Sequence, residues 1–221
     1  MKKIATLYSD YKEKLGIPRQ SRLVNNVSKI VFEPEFSSVE AFRGIEDFSH
    51  IWILWEFSEN VGKPFSPSVR PPRLGGNKKM GVFATRSPFR PNPIGLSCVK
   101  FLELKVEDKR VVLYVLGADI LDGTPIYDIK PYVSYTDSVP DAVCGFSDQV
   151  KDYSLKVSVL DGVFDNISKN LISEIVEIVK QDPRPSYHDD ENRVYGFNYA
   201  LYEVKFTVKG DVATIISCVK Q

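Results

Sequence analysis

Residues Leu96–Val106 (LSCVKFLELKV) and Val111–Ile120 (VVLYVLGADI) decide the fold class of this 221-residue chain. Both stretches are rich in Val, Ile, Leu, Phe and Tyr, which favour β-strands. Similar segments, separated by Pro, Gly, Asp and Asn, are Lys2–Leu7, Val27–Phe32, Phe48–Phe57 and Gly81–Thr85. No helical period interrupts them, apart from a single helical turn expected near Val39–Gly44. Strands without intervening helices predict an antiparallel sheet, and a sheet this long closes or stacks, so we expect a β-barrel.

The last third of the chain has a different pattern. Tyr153–Leu160 alternates like a strand, and Tyr202–Val208 and Val212–Val219 flank a turn, which predicts a hairpin. Between them lies an amphipathic helix ended by Pro183, with its apolar stripe at Ile167, Leu171, Ile175, Ile178 and Val179. The sequence therefore predicts a mainly β protein of two domains, an antiparallel β-barrel in residues 1–147 and a small α+β domain in residues 148–221.

Composition restricts the class of protein. Apolar runs such as Ile51–Trp55 are far shorter than the roughly 18–20 residues of a membrane helix, and Met1–Tyr8 is too short and polar for a secretory signal. The three cysteines are odd in number and widely separated, which fits a reducing cytosol and gives no zinc motif. Two histidines exclude a His-rich metal centre. We expect a cytoplasmic protein that needs no metal and no membrane.

Asn60–Leu102, named here the basic tract, has an unusual charge pattern. It carries eight basic residues and no acidic one, although the whole chain has formal net charge zero. It also contains seven of the fourteen prolines, which favour fixed bends over a flexible tail. Because like charges repel, such a tract requires solvent or an anionic partner. We interpret it as a surface for a polyanion or for phosphate and carboxylate groups; the alternative is a disordered basic loop.

Within the basic tract, residues 81–95 (GVFATRSPFRPNPIG) combine two arginines with three prolines. The prolines bias the backbone toward extended geometry, which restrains Arg86 and Arg90 before any ligand binds. The planar guanidinium group suits carboxylate and phosphate oxygens. The alternative is a bent crossover whose arginines pair with surface carboxylates.

Residues 121–132 (LDGTPIYDIKPY) form a third notable segment. Asp122-Gly123 follows a predicted strand, so a hairpin turn is the default, and a ligand site at this corner is equally supported. Asp119, Asp122 and Asp128 lie within ten residues, yet without partner histidines or EF-hand spacing they do not predict a metal site. His50, at the entry to an apolar strand, more often serves as a strand-end histidine than as a ligand.

Motifs of common enzyme classes are absent from the sequence. It contains no Gly-x-Gly-x-x-Gly or Walker loop, no Gly-x-Ser-x-Gly elbow, and too few histidines for a plausible Ser/His/Asp triad. A Rossmann or P-loop nucleotide site is therefore unsupported.

The basic tract with its segment 81–95, together with residues 121–132, resembles the TsaA/TrmO family of S-adenosylmethionine-dependent tRNA methyltransferases. The resemblance extends from near Tyr8 to the last hairpin, and is carried also by Pro18-Arg19-Gln20, by residues 48–52 (FSHIW) and by residues 181–185 (QDPRP). It implies S-adenosylmethionine bound on a β-barrel near a homodimer interface. It also implies methylation of N6 on threonylcarbamoyladenosine beside the tRNA anticodon.

Residue roles follow from the same resemblance. The implied cofactor contacts are Pro18, Arg19, Gln20, His50, Ile51, Arg86, Leu96, Leu121, Asp122, Gly123 and Thr124. The implied tRNA contacts are Arg70, Arg73, Lys78, Lys79 and Arg90. The proton of the target nitrogen has three candidate acceptors, Asp122, Asp128 and His50, among which the sequence does not choose. A non-catalytic module that binds RNA or a small anion is the alternative function.

Overall fold

The computed structural model describes residues 1–74, 78–184 and 190–221, with the backbone alone for Arg73. The strands of the barrel region are β1 (Ala5–Tyr8), β2 (Val27–Phe32), β3 (His50–Glu56), β4 (Ser68–Val69), β5 (Met80–Gly81), β6 (Ile94–Glu107), β7 (Arg110–Leu116) and β8 (Thr124–Pro131). The C-terminal elements are α1 (Ser134–Asp137), β9 (Lys156–Val159), α2 (Lys169–Lys180), β10 (Tyr195–Tyr199), β11 (Tyr202–Lys209) and β12 (Val212–Lys220). None of the helices in the described residues is long and apolar enough to cross a membrane.

Six strands form a closed antiparallel barrel in the order β1-β2-β7-β6-β3-β8, which confirms the predicted fold class. Strand β3 shows how the alternating sequence builds it: Ile51, Ile53 and Trp55 point into the core, whereas the side chains between them face outward. Gly95 is required beside this core, because a Cβ there would lie 2.2 Å from the Trp55 ring.

Three segments differ from the sequence prediction. Residues 81–85 are not a strand, because β5 ends at Gly81 and a 3-10 turn, Val82–Ala84, follows. Strand β8 was not predicted; it closes the barrel by pairing with both β1 and β3. The Asp122-Gly123 corner is therefore not a hairpin turn, since β7 and β8 are not neighbours in the barrel.

The C-terminal part is a sheet in the order β10-β11-β12-β9 with α2 packed on it. The predicted helix and hairpin are present, and Ser168 caps α2 by accepting from the N–H of Leu171. Strand β10 was not predicted. The core of this part also contains Tyr11 and Val24, from the segment between β1 and β2. The division of the chain at residue 147 stays a prediction.

Candidate functional site

A groove of about 1970 Å³ lies between the basic tract and the C-terminal part. Its lining includes Gly16, Ile17, Arg19 and Gln20, residues 83–89 of the basic tract, and residues 181–184, whereas the buried Pro18 does not reach it. The groove therefore brings together three segments that are far apart in the sequence, and all three carry motifs of the family resemblance.

The described lining of the groove is strongly basic. Seven lining residues are cationic (Arg19, Lys63, Arg70, Lys79, Arg86, Lys151 and Arg184), and Asp182 is the one acidic residue described there. That carboxylate is already engaged, because its Oδ1 lies 2.7 Å from Nε of Arg184. The charge of the lining fits a polyanion, as the basic tract predicts.

The loop of residues 16–22, named here the cofactor loop because the sequence predicts cofactor contacts at Pro18, Arg19 and Gln20, is fixed by close packing. Gly16 has φ +95°, and a Cβ there would lie 2.9 Å from Cδ2 of Phe197. Pro18 is buried. The side chain of Gln20 donates to the Arg19 carbonyl at 2.5 Å and accepts from Nη1 of Arg86. Two segments that the sequence predicts to be cofactor contacts are thus in direct contact.

Asp119 adds a carboxylate beside these two segments. Its Oδ1 accepts from Ser97 Oγ at 2.6 Å, and that hydroxyl accepts from Nε1 of Trp55 at 3.0 Å. Desolvation raises the pKa of Asp119, opposed by the hydrogen bonds from Ser97 and from the Ser21 backbone and by the charge of Arg86. Sequence reasoning noted Asp119 only as part of an acidic cluster; its proximity to Arg86 depends on the barrel.

The aspartyl bend, Leu121–Thr124, is tied to the chain that follows β1. The N–H groups of Asp122 and Gly123 donate to the carbonyls of Tyr11 and Leu7, each at 2.9 Å. The Asp122 carboxylate accepts from the Ser9 N–H at 2.9 Å and pairs with Nζ of Lys12 at 2.8 Å. Both of its oxygens are engaged, which is the arrangement of an anchoring group.

His50 lies at the start of β3 on the outer face of the barrel. Its Nδ1 is 2.9 Å from Ser49 Oγ, and its pKa is lowered by desolvation and by the charges of Arg22 and Lys100. Burial raises the pKa of the Cys98 thiol, and the charge of Arg22 lowers it. Arg22, the last residue of the cofactor loop, therefore lies near both His50 and Cys98.

The remaining predicted cofactor contacts occupy different positions. Leu96 shares the outer face with His50 and is 53% exposed, about 13 Å away along the strand direction. Ile51 is fully buried in the barrel core and presents no accessible surface to a ligand. His50, Ile51, Leu96 and the aspartyl bend do not line the groove, whereas Arg19, Gln20 and Arg86 do. The assignment of these residues as cofactor contacts stays a prediction.

The predicted tRNA contacts also occupy different positions, some at the groove and one against the backbone of the basic tract. Arg70 and Lys79 line the groove, and Lys78 is exposed next to it. Arg90 instead braces the backbone, because its Nη1 donates to the carbonyls of Val82 at 3.0 Å and Thr85 at 2.8 Å. The side chain of Arg73 lies outside the described residues.

Sequence reasoning did not predict a role for several side chains that line the groove. Lys151 and Arg184 add positive charge from the C-terminal part, and Phe65, Phe83 and Phe146 add aromatic surface. The exposed phenylalanines of the basic tract were the available signal, since such rings in an acid-free basic segment are typical of single-stranded nucleic-acid surfaces. No group of His, Cys, Asp and Glu that could hold a metal ion occurs within residues 1–74, 78–184 and 190–221.

Comparison with known proteins identifies the family. Residues 6–138 match the tRNA-methyltransferase O N-terminal domain, and residues 150–221 match the TrmO C-terminal domain. The chain belongs to the tRNA-methyltransferase O family.

Relatives of this family match along nearly the whole chain. The tRNA (adenine(37)-N6)-methyltransferase of Escherichia coli (strain K12) is 39% identical over 213 residues, covering 93% of this chain and 90% of that protein. A putative S-adenosylmethionine-dependent methyltransferase RcsF of Pseudomonas aeruginosa is 38% identical and covers 87% of this chain and 85% of that protein. A crystal structure of TrmO from P. aeruginosa superposes with a TM-score of 0.81 at 30% identity, covering 99% of this chain and 95% of that one.

Proposed function

We propose that this protein is an S-adenosylmethionine-dependent tRNA methyltransferase that methylates N6 of the adenosine beside the anticodon when that base carries a threonylcarbamoyl group. The observation that carries the proposal is the contact between Arg86 and Gln20 at the edge of a basic groove, in a chain whose full-length relatives are named tRNA (adenine(37)-N6)-methyltransferases. The place of action is the cytoplasm, where such tRNAs are found.

The groove supports tRNA as the substrate. Its cationic lining attracts the phosphate backbone, and the target base lies in a single-stranded loop, whose base edges are reachable without opening a duplex. A threonylcarbamoyl group adds a carboxylate to the base. Restrained guanidinium groups such as that of Arg86 match this carboxylate in charge and geometry.

The residues around the cofactor loop fit S-adenosylmethionine. Arg86 is exposed and offers a cation for the carboxylate of the methionine moiety, and Asp119 offers a half-buried carboxylate for positive charge. Gly123 has φ +75°, and a Cβ there would meet nothing within 4 Å, so a ligand has room to approach the backbone of the aspartyl bend. When bound, S-adenosylmethionine supplies a methyl group on a positively charged sulfur, an already activated donor.

The protein's task is then to orient the target nitrogen and to accept its proton. Of the three candidates, Asp122 is engaged at both carboxylate oxygens and Asp128 pairs with Lys130 at 2.8 Å. The lowered pKa of His50 keeps its imidazole neutral at neutral pH, with Nδ1 bound to Ser49. We infer that Nε2 of His50 accepts the proton of N6 as the methyl group is transferred.

We further propose a homodimer, which exposed apolar side chains on the outer face of the barrel support. Ile94 and Leu96 of β6 are 38% and 53% exposed, and Leu96 lies opposite Leu54 of β3, with Trp52 next along the same face. Contiguous apolar surface of this kind marks an interaction site. A second copy packed there would lie next to the predicted contacts His50 and Leu96, which would place the cofactor near the subunit interface.

The substrate assignment is tested with labelled cofactor and two tRNA preparations. Methyl groups from S-adenosylmethionine should enter threonylcarbamoylated tRNA and not the same tRNA lacking that group. Equal labelling of both, or of neither, would defeat the assignment.

A non-catalytic RNA- or anion-binding module is not favoured, because the full-length relatives are named methyltransferases. Calorimetry separates the two functions, since a pure binding module would give no heat with S-adenosylmethionine.

A further inference from the structure

Two phenylalanine rings stand exposed at the groove. Phe83 is 70% exposed and Phe65 is 47% exposed, and their ring centroids are 6.1 Å apart at an interplanar angle of 28°. Both line the groove, among the cationic residues of the basic tract. Large rings exposed side by side leave apolar area in water, which favours covering them with a flat apolar partner.

The Phe83 ring is held by the backbone beneath it. Phe83 is the central residue of the 3-10 turn Val82–Ala84, and Val82 is anchored by burial and by donating its N–H to the Pro67 carbonyl at 3.1 Å. Arg90 donates to carbonyls on both sides of Phe83, and its guanidinium carbon lies 5.3 Å from the centre of the Phe83 ring. A ring so fixed loses little conformational entropy on binding.

The neighbouring charges select the kind of partner. Arg70 and Lys79 line the same groove, so the surface combines aromatic faces with cations. Unpaired nucleotides combine a flat base with an anionic phosphate, and proteins bind them on such platforms by stacking. An apolar peptide segment would use the rings and leave these cations unmatched.

We propose that Phe65 and Phe83 form a stacking platform for one unpaired base of the anticodon loop, with Arg90 as the residue that positions Phe83. The identity of the RNA rests on the proposed function. With this platform, the basic tract positions the anticodon loop in addition to neutralising its phosphates.

The test is the affinity of Phe83→Ala for a threonylcarbamoylated anticodon stem-loop, measured without cofactor. We expect affinity to fall roughly 5- to 150-fold, the equivalent of stacking one base. The salt dependence should keep its slope, because no phosphate contact is removed. Phe83→Trp, which keeps a flat aromatic ring, should bind the stem-loop about as tightly as the wild type. Tyr135→Ala is the matched control, since that ring is 91% exposed and lies outside the groove.

A second experiment uses stem-loop RNAs in which one nucleotide of the anticodon loop at a time is replaced by an abasic residue. For one position the penalty of Phe83→Ala should vanish, because the base that stacks is already missing. An unchanged affinity of Phe83→Ala, or a penalty that is the same at every abasic position, would overturn the platform. So would a change in oligomeric mass, which would assign the rings to a subunit contact.

Failure of the platform is distinguishable from failure of the proposed function. If the wild-type protein methylates the modified tRNA and Phe83→Ala binds the stem-loop normally, only the platform is wrong. If the wild-type protein binds the stem-loop but transfers no methyl group, the enzymatic assignment is wrong and the platform is judged by the abasic series alone.

Discussion

Tyr11 and Tyr199 pack against each other with ring centroids 5.2 Å apart, and both are buried. The two residues also form an isolated antiparallel bridge, and the Tyr199 hydroxyl donates to Oε2 of Glu174 at 2.9 Å. Tyr11 comes from the chain that leaves the barrel after β1, whereas Tyr199 ends β10 of the C-terminal sheet. The pair joins the two parts of the protein just before the cofactor loop.

The cofactor loop is anchored on both sides in this way. Before it, Glu13 accepts from the Asn198 N–H at 2.5 Å, and Gly16 packs on Phe197. After it, Val24 is buried in the C-terminal core, and the N–H of Asn25 donates to Glu177 at 2.9 Å. The C-terminal part therefore positions residues that the sequence predicts to bind the cofactor.

Gly16→Ala should weaken cofactor binding through this anchor. The left-handed backbone costs an alanine about 1–2 kcal/mol, and the new Cβ also collides with the Phe197 ring. Gly44→Ala is the control, because Gly44 has a similar φ of +87° with nothing within 4 Å. Melting temperature and calorimetry with S-adenosylmethionine measure both variants. Equal losses in the two variants would contradict the anchor.

Arg86→Ala should impair methyl transfer far more than folding. The side chain is exposed, so its loss should change the unfolding free energy by less than about 0.5 kcal/mol. Losing a charge-assisted hydrogen bond to a ligand carboxylate should cost roughly 10- to 100-fold in kcat/KM. Arg43→Ala, which breaks an exposed pair with Glu40, is the control. A comparable loss of folding would mean that Arg86 is structural.

Asp122→Asn should retain turnover within about threefold of the wild type. The amide oxygen still accepts from the Ser9 N–H, and the lost pair with Lys12 is partly exposed and stabilises by about 0–1 kcal/mol. Asp122→Ala, by contrast, leaves that N–H without its acceptor and should destabilise the fold by about 1–3 kcal/mol. Loss of turnover in Asp122→Asn with normal cofactor binding would make Asp122 the proton acceptor in place of His50.

Leu96→Glu should convert the proposed dimer to monomers. The substitution places a charge in the apolar outer face of β3 and β6, where its desolvation would oppose association. Light scattering gives the mass, and Val159→Glu, at a 37% exposed position on β9, is the control. A wild-type protein that is monomeric at micromolar concentration would remove the dimer from the proposal.

Glu174→Gln should stabilise the protein increasingly as pH rises. Burial, together with the charges of Asp10 and Glu177, raises the pKa of Glu174, although the Tyr199 hydroxyl opposes the shift. Between the ordinary carboxyl pKa and this raised value the unfolded chain releases its proton first, so wild-type stability falls with rising pH. At lower pH both states are protonated and the effect is absent.

Urea unfolding from pH 4 to pH 8 measures this difference, with Glu203→Gln as control, since that side chain is 40% accessible and pairs only at the surface with Lys205. A difference between Glu174→Gln and the wild type that does not grow with pH would mean that burial does not perturb this carboxyl.

Sequence predicted most of the barrel because its strands have strong local patterns. Val27–Phe32 was predicted to the residue, and the alternation of β11 gave the C-terminal hairpin. Strand β8 was missed because Pro125, Pro131 and two charged residues obscure its apolar pattern. Its neighbours, β1 and β3, are distant in sequence and enforce its extended backbone through their own hydrogen bonds.

The sequence predicted which types of residue form the candidate site, but not how these residues are arranged in space. The acid-free basic tract and the arginine-proline segment indicated an anionic partner from composition alone. The proximity of Arg86 to Gln20 and Asp119, and the bracing role of Arg90, depend on which loops meet where the barrel ends.

The sequence by itself determined that this chain forms β-strands, where its positive charge is concentrated, and which family motifs it carries. These properties are local, since they depend on side-chain pattern and charge over short stretches. Only the tertiary structure decided that the C-terminal sheet holds the cofactor loop and that a groove unites three distant segments. Such contacts are set by the closure of the barrel and by packing between residues nearly two hundred positions apart, such as Tyr11 and Tyr199, and no short stretch of sequence encodes them.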